Sequence, residues 1–270
     1  MAKLEMPQDL RKVFGQDVFS EIMQLQGRIY REVKGRRTMK IELNGASYFL
    51  KQHFGVGWGE IFKNLLSFKF PVIGAMTEVE AIKQLTALGI QTTPLVAYGV
   101  RGFNPATQQS FLLTEDLGDI VSLEDVCADW TVNPPSSDLK RRLIIAMAEL
   151  AARMHGAGLC HRDFYLCHLV MQREDLLKGE VRLMLIDLHR MLRHQPSGGL
   201  AVMKDIAGLI FSAMDCGFGE QDWALFRQHY LPQSAAFWKK AHTRAEQLYA
   251  KFHSRKFQQR LKQERAAAEE

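Results

Sequence analysis

The sequence predicts an α+β protein of two lobes, a small antiparallel-sheet lobe followed by a mainly helical one. Two patterns carry that expectation. Between about Tyr30 and Thr114, apolar residues alternate in short runs bounded by Gly, Pro or Asn, with one helical stripe among them. From Asp119 onward most apolar residues recur at helical spacing. The joint falls near Thr114 to Gly118, which divides the chain into residues 1–115 and 116–270.

The first lobe is built around a hairpin. Asn44-Gly45 lies between Lys40-Ile41-Glu42-Leu43 and Ala46-Ser47-Tyr48-Phe49-Leu50-Lys51. A two-residue Asn-Gly link between alternating runs is a strong hairpin signal, and it fixes the register. Met39, Ile41, Leu43, Ala46, Tyr48 and Leu50 then share the inward face, while Lys51 stands on the other with Phe49, Thr38 and Lys40. Gly74 to Leu88 reads as a helix, with Val79, Ile82, Leu85 and Leu88 in a stripe and Gly89 as its stop. Pro94 to Val100 and Ser110 to Leu117 read as two further strands.

In the second lobe, Asn133-Pro134-Pro135 is a loop, and Ser136, Ser137 and Asp138 are candidate caps. Leu139, Leu143, Met147, Leu150 and Met154 form the stripe of the helix that follows, which ends in His155-Gly156-Ala157-Gly158. Short strands are expected around Leu166 to Met171 and Val181 to Asp187. Val202 to Met214 and Asp222 to Tyr230 read as helices, and Phe237 to the end as one long polar helix.

Composition narrows the function classes. The 270 residues are 47% hydrophobic and 24% charged, which excludes a disordered or fibrous chain. No apolar run is long enough to span a bilayer, and Met1 to Lys12 lacks the apolar segment of a signal peptide. Four cysteines fit a reducing cytoplasm better than a disulfide scaffold. The net charge of +5 suggests an anionic partner. Nucleic acid is not expected, because no recognition module is present.

The chemistry concentrates in four places. His161-Arg162-Asp163 follows a helix that ends in a glycine turn, and Asp187 ends the apolar strand Leu183-Met184-Leu185-Ile186. Lys51 lies on a strand and Glu78 on a helix upstream. A cation for phosphate, an acid to orient it, a base and a metal-binding carboxylate, in that order on those elements, are the parts of phosphoryl transfer. Glu80 competes with Glu78 for the pairing role, and Glu78 lies nearer the apolar stripe. Cys160, His161, Cys167 and His168 offer a zinc alternative, but a structural zinc site normally uses separated pairs.

Five stretches resemble the lipopolysaccharide core heptose(I) kinases, a bacterial branch of the protein-kinase-like fold. They are Gly27-Arg28-Ile29-Tyr30-Arg31-Glu32, Gly35-Arg36-Arg37-Thr38, Gly55-Val56-Gly57-Trp58-Gly59-Glu60-Ile61, His161-Arg162-Asp163-Phe164-Tyr165-Leu166-Cys167-His168 and Leu185-Ile186-Asp187-Leu188-His189-Arg190. The resemblance covers about Phe19 to Tyr249. It implies transfer of the ATP γ-phosphate to the first heptose of the inner core, with Mg²⁺, at the cytoplasmic face of the inner membrane. It makes Asp163 the catalytic base and Asp187 the metal ligand. Lys51 would meet the α/β-phosphates with Glu78 holding it, and Asp205 would fix the catalytic loop. The lipopolysaccharide core lipid would be the acceptor, and acyl carrier protein is a further partner of the family.

Two departures from the protein-kinase pattern stand out. His168 occupies the place of a metal-binding Asn, which leaves a second metal site open, because Mg²⁺ prefers oxygen. No glycine-rich phosphate loop precedes the hairpin. Gly35-Arg36-Arg37-Thr38 stands there, so Arg36, Arg37 and Thr38 are candidate phosphate contacts. Gly55 to Gly59 follows Lys51 and is a candidate for shaping the acceptor site. Three alternatives stay open: a kinase for the octulosonic acid of the core, a protein-tyrosine kinase, or an inactive kinase-like module at the membrane. The C-terminal segment carries Lys239, Lys240, Arg244, Lys251, Arg255, Lys256, Arg260, Lys262 and Arg265, with Glu246 and Glu264 among them. It reads either as a solvated helix or as a surface for an anionic partner.

Overall fold

A computed structural model describes residues 3–33, 35–55, 57–59, 74–260 and 263. Val56, Glu60 and Ile61 of the Gly55 to Ile61 stretch lie outside them. The chain forms two compact units, Met1–Gly118 together with Leu185–Met191, and Asp119–Met184 together with Leu192–Glu270. The Leu185–Met191 excursion, which puts Asp187 in the first unit, has no counterpart in the sequence reading.

The first unit holds β1 (Lys3–Glu5), α1 (Gln8–Arg11), α2 (Val18–Gln24), β2 (Arg28–Val33), β3 (Arg36–Leu43), β4 (Ala46–His53), α3 (Met76–Ala87), β5 (Gln91–Thr92), β6 (Leu95–Arg101) and β7 (Gln109–Glu115). Six strands form an antiparallel sheet in the order β1-β6-β7-β4-β3-β2. The β3–β4 hairpin turns on Asn44 and Gly45, both at positive φ, as the tight turn between right-twisted strands requires. Its register pairs Leu43 with Ala46, Met39 with Leu50 and Thr38 with Lys51, as the Asn-Gly link predicts.

That register sorts the side chains. Met39, Ile41, Leu43 and Leu50 join Leu10, Val18, Phe19 and Ile22 in one buried cluster, so α1 and α2 cover this face. β1, α1 and α2 carry no strong periodic signal and were not expected. The side chain of Asp17 caps α2 through the Ser20 amide. On the other face, Ser110 Oγ accepts the Ala75 amide at 3.0 Å and fixes the start of α3 on Lys51's side of the sheet. Glu78, Val79, Ala81, Ile82 and Leu85 are buried along α3, and Gly89, at φ +69°, stops it.

The second unit holds β8 (Ile120–Ser122), α4 (Leu123–Cys127), α5 (Ser137–Gly156), β9 (Leu169–Gln172), α6 (Arg173–Leu177), α7 (Leu200–Ala213), α8 (Glu220–His229) and α9 (Ala235–Phe252). β10 (Met184–Leu185) straddles the boundary. β8 and β9 pair antiparallel. Ser136 Oγ caps α5 through the Leu139 amide, and Leu143, Met147, Leu150 and Met154 are buried on the expected stripe. α5 packs on α8, and α7 on α9.

Three expected elements differ. Leu166–His168 is a 3₁₀ turn, because the His168 amide closes onto the Tyr165 carbonyl at 3.0 Å, and the strand starts only at Leu169. The Val181 to Asp187 strand shortens to Met184–Leu185, with Asp187 itself in the left-handed region at φ +63°. The long C-terminal helix breaks after Phe252. Ser254 there accepts the Phe257 amide and starts a second helical stretch over 255–260.

Candidate active site

In the first unit, Lys51 Nζ meets Glu78 Oε1 at 2.6 Å. Glu78 is nearly buried and Lys51 half-buried, so the acid holds the cation from the interior and leaves it partly open to solvent. Strand alternation puts Arg36, Thr38, Lys51 and His53 on one face, since Arg36 pairs with His53 and Thr38 with Lys51. Burial, helped by repulsion from Arg31, lowers the pKa of Arg36, while Asp187 and Glu78 pull it back up. The guanidinium remains charged throughout. Arg36, Glu78 and Asp187 therefore share one electrostatic field.

Arg37 behaves differently from its sequence expectation. Alternation turns it to the opposite face, where it bonds Glu32 at 2.7 Å and lies 5.9 Å from the Phe54 ring. The structure thus brings Arg36, Thr38, Lys51, Glu78 and Asp187 into one unit around one sheet face and α3, and leaves Arg37 on the other side.

Asp187 accepts from His189 Nδ1 at 2.5 Å. The 3₁₀ turn Leu188–Arg190 that follows is anchored by buried Leu188 and packs on α3. His53, not expected as part of the site, is 3% exposed. Burial first, then the charges of Arg36, Lys51 and His189, pull its pKa down to about 4. Its position two residues after Lys51 on the same strand face is the signal that could have found it.

In the second unit, Asp205 is buried on α7 and clamps the loop before Asp163. Its Oδ2 accepts the His161 amide at 2.6 Å, and its Oδ1 accepts the Arg162 amide at 2.8 Å. Arg162 is held at φ +74°, a conformation that costs a non-glycine residue on the order of 1–3 kcal/mol. His155 Nε2 reaches Asp205 Oδ2 at 3.3 Å, and its Nδ1 meets the Tyr230 hydroxyl at 2.7 Å. Burial raises the pKa of Tyr230, so the hydroxyl keeps its proton. The sequence pattern marks His155 and Tyr230 only as helix ends, and nothing in it tells a histidine that supports an acid from one that ends a helix.

Asp163 is partly exposed, and its backbone carbonyl accepts from His168 Nδ1 at 2.7 Å. An imidazole stands where an oxygen ligand was expected, and it is used at least in part to brace the loop. The zinc alternative finds little support. The close group of potential ligands among the described residues is His155, Cys160 and Asp205 rather than the four residues of the two Cys-His pairs. Burial and the charge of Asp205 push the Cys160 thiol up to about 12.

The model of the lipopolysaccharide kinase (Kdo/WaaP) family matches residues 20–230. The chain belongs to this family. It is 44% identical over 217 residues to the lipopolysaccharide core heptose(I) kinase WaaP of Pseudomonas aeruginosa, covering 80% of this chain and 81% of that one. It is likewise 44% identical over 222 residues to WaaP of Escherichia coli K12, covering 80% and 82%. A solved structure of WaaP in complex with acyl carrier protein matches with a TM-score of 0.78 at 35% identity, over 92% of this chain and 99% of that one. As a member of the family the chain is a kinase, a phosphotransferase, and its sheet-then-helix architecture is that of the kinase-like fold.

Proposed function

We propose that this kinase transfers the γ-phosphoryl group of ATP to a hydroxyl of the first heptose of the lipopolysaccharide inner core. The observation that carries the chemistry is the Lys51–Glu78 pair, a phosphate-seeking cation held by a buried acid and sharing its unit with Asp187. The heptose rests on the relatives, which are named as heptose(I) kinases over four-fifths of this chain.

Each residue has a role in this reading. Lys51 binds the α/β-phosphates and Glu78 orients it. Arg36, with Thr38 beside it, adds charge and a hydroxyl on the same strand face. Asp163 accepts the proton of the acceptor hydroxyl as its oxygen bonds to the γ-phosphorus and the bond to the ADP oxygen breaks. Asp205 holds the loop that presents Asp163. The donor chemistry fits a divalent cation: Asp187 supplies carboxylate oxygen, which Mg²⁺ prefers to the nitrogen of His168. Mg²⁺, when bound, neutralises phosphate charge.

The acceptor is a lipid, so the chain is proposed to work as a peripheral protein on the cytoplasmic face of the inner membrane. No described helix is long and apolar enough to cross a membrane. Acyl carrier protein is a proposed partner, because a relative has been captured with it.

The test is incubation with ATP, Mg²⁺ and purified unphosphorylated core lipid, followed by mass spectrometry of the core sugars. Phosphate should appear on the first heptose, and Asp163→Ala should lower turnover by at least ~10²–10⁴-fold with the fold intact. Phosphate on the octulosonic acid, or full activity in Asp163→Ala, would overturn the assignment.

A further inference from the structure

The charge of this chain is unevenly placed. Between Ala235 and Arg260 seven Lys and Arg stand against one acid, Glu246, in a protein whose whole excess is +5. Elsewhere several cations are paired: Lys40 with Asp116, Lys83 with Glu5, Lys140 with Asp222, Arg101 with Asp17 and Arg173 with Asp119. Among the described residues, Lys239, Lys240, Arg244, Arg255 and Lys256 make no such pair, and all but Arg244 are exposed. Ion pairing within the fold does not account for these five cations.

Its geometry is regular. Phe237, Ala241 and Ala245 are buried where α9 packs on α7. Lys240, Arg244 and Lys251, spaced by four and seven residues, line one flank of α9. After the break at Ser254 the chain folds back, with the Phe257 ring 4.4 Å from that of Phe252. Lys251, Lys256 and Arg260 then surround Phe257 in one groove. Lys251 and Arg260 lie 5.9 and 5.0 Å from its ring.

We infer that this face docks the kinase electrostatically on an anionic bilayer surface, through lipid phosphate groups. The inference deepens the membrane location proposed above and rests on it. Two observations favour a bilayer over an acidic protein. The cations continue from α9 onto the 255–260 stretch, as an array of repeated phosphates requires. Protein interfaces close around an apolar centre depleted of charge, and no exposed large hydrophobic residue is found between 235 and 260 among the described residues. The apolar side of α9 is used inside the protein, so attachment is by charge and not by helix insertion.

The test is sedimentation of the full chain with vesicles of phosphatidylcholine containing phosphatidylglycerol, and with phosphatidylcholine alone. The protein should follow the anionic vesicles and be released at about 1 M salt, where the screening length is only ~3 Å. The variant Lys251→Gln/Arg255→Gln/Lys256→Gln/Arg260→Gln should bind them roughly 10²–10³-fold more weakly, at about fivefold per cation. It should keep its transfer rate on soluble, deacylated core oligosaccharide, which reports folding and the kinase reading separately. Equal binding to neutral vesicles, or undiminished binding by the variant, overturns the inference. So does a variant that keeps vesicle binding and loses binding to purified acyl carrier protein, because the face would then serve an acidic protein.

Discussion

Two loops of this kinase pass through left-handed backbone next to an acid with a proposed role in transfer, and they are held by different means. Arg162, at φ +74°, precedes Asp163, and its amide and that of His161 are gripped by Asp205, forty-odd residues away and 1% exposed. Asp187, at φ +63°, is steadied by His189, two residues on, and is itself about a third exposed. A loop fixed by a distant buried acid cannot relax unless the core opens. A loop fixed by its own neighbour can adjust locally. Asp163, the proposed base, is thereby held by the interior of the second unit, whereas the carboxylate of Asp187, the proposed metal ligand, bonds a residue of its own turn.

The sharpest way to break this contrast is Asp205→Ala. It strips the buried His161 amide, the part-buried Arg162 amide and His155 of their acceptor, at roughly 1–3 kcal/mol for each group left unsatisfied. We expect a loss of about 3–5 kcal/mol in chemical denaturation and a fall in kcat of ~10²-fold or more, with KM for ATP little changed. His189→Ala, acting on the other loop, should cost about 1 kcal/mol. Equal losses from the two variants would mean that both loops are held locally.

The next difference is in pH. His53 belongs to the first unit, and its folded pKa of about 4 lies below the ~6.5 of an unfolded imidazole. As pH falls from 6.5 toward 4, the unfolded chain takes up a proton that the folded chain refuses. Stability is therefore full above pH 6.5 and declines below it, by about 3 kcal/mol once pH 4 is passed. Between pH 7 and pH 5 the loss should be about 2 kcal/mol, and His53→Gln should flatten that limb. A wild type equally stable at both values would sink the assignment. In the second unit, Cys160 and Tyr230 are shifted upward, away from this window, so they do not contribute to it.

How much of this could be seen beforehand follows from the range of the forces involved. The Asn-Gly hairpin, the face carrying Lys51 and the Glu78 partner are consequences of local spacing, and all three were legible. So was Asp205, through family likeness rather than spacing. The N-terminal helices were not, because four and seven residues give too short a window for a period. His155 and Tyr230 meet 75 residues apart in sequence, and the return of Leu185–Met191 to the first unit is tertiary. No local pattern encodes either. Strand alternation puts Arg36 and Thr38 on one face and Arg37 on the other, which a run of three neighbours does not reveal.

That last point gives the finest test. Arg36 shares Lys51's face, is partly buried and feels Asp187 and Glu78, so its charge is poorly screened and available to phosphate. Arg37 is turned away and bonded to half-exposed Glu32, an arrangement worth only about 0–1 kcal/mol. Arg36→Ala should raise KM for ATP about tenfold, the worth of one charge-assisted hydrogen bond. Arg37→Ala should leave KM within about twofold and stability within about 0.5 kcal/mol. Steady-state kinetics on the two variants separate the faces directly. If Arg37→Ala raises KM as much as Arg36→Ala does, the phosphates reach both sides of β3, and strand alternation does not decide which arginine serves them.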